Sequence, residues 1–215
     1  MQRLLALLLV ISAIGCQAPG RSDLTQLDRM KTRTDPRANA AESISCAAQD
    51  LVCVQLLVAR GSACLRLTEE ADRSIARQRR QCALDDFAAA ARQLPDPAPA
   101  EDRRQVLTGL AAARKVARDN TLDAAAAVAL NAEIAAGTPA LRMVQGGAPY
   151  AAYFAADAEV FTAQRGGMAA AQACHSLNAA LSSLPATTGQ PPDLAPRVAL
   201  LRSAITASIS ARSCA

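Results

Sequence analysis

Residues 82–99 read CALDDFAAAARQLPDPAP. Alanine is the strongest helix former. Ala83, Phe87 and Ala90 recur at spacings of four and three, which puts them on one helical face. Pro95, Pro97 and Pro99 then stop the helix. The arrangement returns further on: Ala173, Leu177 and Ala180 precede Pro185 by 12, 8 and 5 residues, as Ala83, Phe87 and Ala90 precede Pro95. The rest of the chain agrees with this stretch. Of 215 residues 52 are alanine, only five are aromatic, 51% are hydrophobic and 20% charged. Such a chain is too apolar and too weakly charged to stay disordered. It is also too poor in β-branched and aromatic residues for a sandwich or barrel. The expected fold is all-α.

Periodicity and breakers place about seven helices. The first covers 42–67, with Ile44, Ala47, Leu51, Val54, Val58 and Leu65 on one face. A second begins with Thr68 as cap and Glu69-Glu70 in its first turn, or at an alternative turn near 72–74, and runs to Leu94. A third spans 101–118. A fourth spans 122–136 and stops at Gly137-Thr138-Pro139, before a loop at 140–149. A fifth spans 150–164, a sixth 168–184, and the last 194–211. This makes three antiparallel hairpins and a C-terminal closing helix, in one domain at 42–215. An irregular α-bundle is the alternative.

The amino terminus carries a different signal. Arg3 precedes an apolar run of leucines, Val10 and Ile11 that is too short for a membrane-spanning helix. The run ends in Ser12-Ala13-Ile14-Gly15-Cys16. This resembles the lipobox of bacterial lipoproteins, which implies a signal peptide at 1–15 and lipidation of Cys16. More than one acyl chain gives stable anchoring. Gln17 in place of aspartate implies sorting to the outer membrane, at its periplasmic face or, alternatively, the cell surface. Cleavage would leave 22 basic against 19 acidic residues, a net charge of +3. Residues 16–41, polar and broken by Pro19, Gly20 and Pro36, are expected as a tether, with room for a short helix at 24–30. No second stretch reads as long and charge-free enough to cross a membrane.

With Cys16 lipidated, Cys46, Cys53, Cys64, Cys82, Cys174 and Cys214 remain. An even number in an exported chain points to disulfides. Zinc is disfavoured: no C-x-x-C pair occurs, and the single histidine, His175, adjoins Cys174. No metal or cofactor is expected. Cys46 and Cys53, seven apart on one expected helix, would lie about 10 Å apart along its axis, so each would pair elsewhere.

The repeated alanine-large-alanine-proline pattern is similar to the second half of the tetratricopeptide motif. Ala59-Arg60-Gly61-Ser62-Ala63-Cys64-Leu65 looks like its first half, where glycine lets two helices approach. Gly61 and Ala83 are 22 residues apart where that family usually has 12. The resemblance covers roughly residues 45–95 and 150–210, and it implies an α-solenoid. With Gly61 opposite Ala83, Cys64 faces Cys82, whereas the rival turn at Thr68 would set Cys53 opposite Cys82. Cys174 and Cys214 pair by default.

Catalytic motifs are absent: no G-x-x-x-x-G-K-[ST], G-x-G-x-x-G, H-E-x-x-H or G-x-S-x-G occurs. His175 stands alone, and Glu69/Glu70 and Asp85/Asp86 read as solvated neighbours, not as an acid/base pair. An enzyme is not expected. Arginine supplies 21 of 23 basic residues. Arg66, Arg73, Arg77 and Arg80 share a face if their segment is one helix. They form a candidate surface for an anionic partner, because arginine suits carboxylates and phosphates. Nucleic acid is disfavoured by the aromatic shortage. Resemblance to envelope lipoproteins implies a scaffold or adaptor for envelope proteins. The alternatives are a small-ligand transport accessory or an inhibitor/immunity lipoprotein.

Overall fold

The computed structural model describes residues 21–46, 49–70, 72–165, 167–186 and 188–214. Among the described residues it is all-helical, with α1 (Arg21–Thr32), α2 (Pro36–Ala40), α3 (Leu51–Arg66), α4 (Arg73–Gln93), α5 (Ala100–Asn120), α6 (Ala124–Met143), α7 (Ala148–Gln164), α8 (Ala170–Ser183) and α9 (Ala195–Ala211). Each helix from α3 onward packs on the next. The pairs α3/α4, α5/α6 and α7/α8 are the three expected hairpins, and α9 closes the array. The odd-numbered helices form one layer, running parallel to one another. Tyr150 at the start of α7 bonds Asp193 just before α9, and Gln164 at its end bonds Ser208 near the end of α9. Likewise Cys53, Val54 and Leu57 share a buried cluster with Val106, and Ala63 and Cys64 share another with Leu110 and Ala113.

Aspartate caps set the starts of α2, α3, α4 and α6. Asp50 accepts from the Val52 amide, so α3 begins at Leu51, nine residues later than periodicity alone suggests. Asp72 accepts from Ser74 and Ile75, placing the start of α4 at the alternative turn. Thr68, the first expected cap, donates instead to the Leu65 carbonyl and closes α3. Asp123 caps α6 in the same way as Asp72 caps α4. The helix then runs through Gly137 and Pro139, where a stop was expected. Proline leaves the carbonyl four residues back without its amide partner; the Thr138 hydroxyl donates to that carbonyl, Ala135 O, at 2.9 Å.

α6 also amends the expectation on membrane spans. By length and composition it is apolar enough to cross a membrane, with a mean hydropathy of 1.3 over its best window. Here it lies against α5 and α7, tied to them by Asn131 and Glu133.

The six positions of the repeated pattern are all buried: Ala83, Phe87 and Ala90 in α4, Ala173, Leu177 and Ala180 in α8. Phe87 projects toward α3 and α5, against a glycine on each. A Cβ on Gly61 would come within 3.0 Å of the ring, and one on Gly109 would overlap it. Four of the five aromatic residues sit on α7, and Tyr150, Tyr153 and Phe154 anchor the larger core cluster with Leu177, Leu194 and Ile205.

Two expectations at the amino-terminal side are corrected. Residues 21–40, expected as tether, fold into α1 and α2. Leu27 and Met30 are buried against Leu56 of α3, and Asn39 donates to the Met30 carbonyl. Glu42 holds Arg29 and Arg33 at 3.3 and 2.9 Å. Cys46 and Cys53, expected to look elsewhere, are bonded to each other. The axial-distance argument fails because Cys46 precedes the helix. The chain turns back through Gln49, whose φ is 61°, before α3 begins. Cys64 is bonded to Cys82 and Cys174 to Cys214. The bridges thus lie toward the two ends of the array. The middle is held by aromatics and ion pairs.

Candidate functional site

A cleft of about 580 Å³ opens in the odd-numbered layer between α3 and α5. One wall is the face of α3 that carries Val58, Ser62, Leu65 and Arg66. The other is a single face of α5, where Glu101, Arg104, Gln105, Thr108, Gly109 and Ala112 follow at helical spacing. Phe87 forms the floor, because the two glycines let its ring reach between the walls. Tyr150, Asp193 and Arg197 close one end.

Polar contacts organise that end. Tyr150 donates to Asp193 Oδ1 at 2.8 Å. Burial, then this bond, pushes the Tyr150 phenol up to about 12. Arg104 pairs with Glu101, and Gln105 donates to the same carboxylate at 2.8 Å. The Arg104 and Gln105 bonds hold the Glu101 carboxyl below its ordinary range. The Arg104 guanidinium lies against Gly146, whose φ of 73° fits the turn between α6 and α7. A Cβ there would sit 2.5 Å from Nη1. Arg66 and Arg197 are exposed, with no carboxylate within 4 Å among the described residues. The cleft therefore holds three guanidiniums against two carboxylates, and two of the three are free. Deep in the wall, the Thr108 hydroxyl oxygen is buried without a hydrogen-bond partner.

The arginines singled out in the sequence do not form one face. The break at 67–72 separates Arg66 on α3 from Arg73, Arg77 and Arg80 on α4. Arg66 faces the cleft. Arg77 and Arg80 line a separate hollow with Leu84, Leu122 and Leu130, and Arg80 donates to the Thr68 carbonyl. Arg73 is exposed. Asp86, read as solvated, is 3% exposed and takes both Arg60 nitrogens at 2.7 and 2.9 Å, a bidentate link from α4 to α3. Its neighbour Asp85 only accepts from Gln81. His175 is exposed on α8. Cys16 and residues 1–15 lie outside the described residues. Arg104, Tyr150 and Arg197 were not singled out in the sequence: nothing local to them signals that α5, α7 and α9 converge.

The tyrosines give a direct check on this geometry. The chain has two tyrosines and no tryptophan. Burial, followed by the Asp157 charge, raises Tyr153 as well. A near-ultraviolet phenolate titration of the folded protein should show less ionisation at about pH 10 than the half expected of an unfolded tyrosine. Both folded values are raised, so the unfolded chain loses its phenol protons first. Stability present below about pH 10 is then lost as pH rises toward about 12. A folded-state midpoint at about pH 10 would contradict the Tyr150–Asp193 contact.

The fold and the cleft define the chain as an all-α protein of layered helical hairpins with an open, arginine-bearing groove. No family model, no curated protein and no solved structure matches the chain.

Proposed function

We propose that the protein is a lipid-anchored, periplasm-facing outer-membrane protein that acts as a non-enzymatic scaffold or adaptor, holding a protein partner in the cleft between α3 and α5. The supporting observation is the openness of that cleft. Its rim residues Arg66, Glu101, Gln105, Asp193 and Arg197 are exposed, so a segment of another chain can enter from the side. The lipobox-like Ser12–Cys16 sequence supports the anchor, and three disulfides suit an oxidising compartment. The tetratricopeptide-like offsets fall on buried positions, in keeping with a solenoid. A volume of about 580 Å³ also falls in the range of small-ligand sites, which keeps the transport-accessory reading as the second.

Two measurements test the proposal. Radioactive palmitate should label the wild-type chain in its native host and not Cys16→Ser, and an unlabelled wild type overturns the anchor. A photo-crosslinker at Gln105 should give a protein adduct in intact envelopes, and one at the outward-facing Glu159 should not. Loss of the adduct after exhaustive dialysis of small molecules, or equal adducts at both positions, overturns the adaptor reading.

A further inference from the structure

We infer that the cleft binds an extended acidic-apolar peptide segment, with carboxylates on either side of apolar side chains. The inference rests on the adaptor reading and specifies its partner's chemistry.

The two free guanidiniums stand at opposite ends of the cleft. Gln55 of α3 donates to Asp102 of α5 at 2.8 Å, and Ala63 and Cys64 share a buried cluster with Leu110 and Ala113. Arg66, at the end of α3, is therefore level with about Ala112. Arg197 stands one turn after Asp193, whose bond to Tyr150 fixes it at the Arg104 end. Arg104 and Ala112 are eight residues apart, about 12 Å along α5, and Arg197 lies a turn beyond Asp193 on the parallel α9. An extended segment, advancing about 3.3 Å per residue, can place one carboxylate near each guanidinium with apolar residues between them.

Between the guanidiniums the cleft mixes apolar Val58, Leu65, Phe87 and Ala112 with polar Ser62, Gln105 and Thr108. The buried Thr108 hydroxyl adds a donor without a partner. The two carboxylates in the lining do not cancel the free arginines by direct pairing. Glu101 is bound to Arg104 and Gln105, and Asp193 accepts from Tyr150. The cleft carries a net positive charge of one, concentrated at the Arg66 end, and that sign selects acidic over basic segments.

The test uses the full chain and a fluorescein-labelled peptide, Glu-Leu-Ala-Leu-Glu with blocked ends, read by anisotropy. The matching Lys-Leu-Ala-Leu-Lys peptide and free succinate are the controls. The glutamate peptide should bind at least about tenfold more tightly than the lysine peptide. Arg66→Gln and Arg197→Gln should each weaken it several-fold, and Arg73→Gln, outside the cleft, should leave it unchanged. Both cleft arginines are exposed and unpaired, so the variants should keep the wild-type helical circular dichroism. Three outcomes overturn the inference: no binding, equal affinity for the two peptides, or equal loss from Arg73→Gln. Displacement by succinate at peptide-like concentrations overturns it in favour of a small anion. The Gln105 crosslink separates the two claims. An adduct that persists in the Arg66/Arg197 double variant leaves the adaptor standing and removes the acidic segment.

Discussion

Asp157→Ala should lower stability by about 3–5 kcal/mol, the cost of breaking a buried ion pair from one side. Asp157 is 5% exposed on α7, and Arg118, 4% exposed, reaches it from α5. Oδ2 lies 2.7 Å from Arg118 Nη2, an ion pair whose angle falls short of a hydrogen bond, and Oδ1 lies 3.2 Å from Lys115 Nζ. Arg118 also pairs with Asp119 at 2.8 Å and donates to Asn131 Oδ1 at 2.7 Å. Asn131 in turn donates to the Ala158 carbonyl and to Thr162. Removing Asp157 leaves two cations facing Asp119 alone. Burial pulls the Lys115 ammonium down, but Asp157 and Asp119 more than offset it and hold it above its ordinary value. The variant loses the larger charge contribution. Replacing Lys115, Arg118 and Asp157 together by apolar residues of similar volume should recover much of the loss, because it removes the desolvation cost with the pairing. Urea unfolding at neutral pH measures both. A loss under about 1 kcal/mol for Asp157→Ala would place the network at the surface.

Phe87→Ala should cost a similar amount, about 3–5 kcal/mol, through lost burial and the cavity left behind. The more telling measurement is the coupling to Gly109. Alone, Gly109→Ala drives a methyl into the Phe87 ring and should destabilise by about 1–3 kcal/mol. In the Phe87→Ala background the obstacle is gone, and the same substitution gains the roughly 1 kcal/mol by which alanine exceeds glycine in a helix. The effect of Gly109→Ala therefore changes sign between backgrounds. Additive effects in this cycle would mean that α4 and α5 do not meet through this ring.

The fold was legible where spacing and punctuation agree. Alanines at fixed offsets before Pro95 and Pro185 marked two helices and their buried faces, and the 95–99 prolines marked a break. Errors came where one side chain outweighs the pattern. Asp50 starts α3 late and so frees Cys46 to reach Cys53. Thr138 satisfies the carbonyl that Pro139 orphans and lets α6 continue. Asp86 looks solvated beside Asp85 until Arg60 is seen across the helix pair. The cleft was half legible: Arg66 was singled out for its charge, but in the wrong company. The residues that line the cleft with it come from α5, α7 and α9, and only tertiary packing brings them together.

The folding of α1 has a consequence for where the domain can be. A 26-residue tether at 16–41 could let it roam about 90 Å from a lipid at Cys16, at about 3.5 Å per extended residue. With α1 starting at Arg21 and packed on α3 through Leu27 and Met30, only five chain steps separate the proposed anchor from the first helix, a leash of about 18 Å at most. The standoff is then shorter than α5, 21 residues and about 31 Å long. If the proposed anchor at Cys16 holds, a domain of this build hugs its membrane, and a proposed partner would meet it at the bilayer surface.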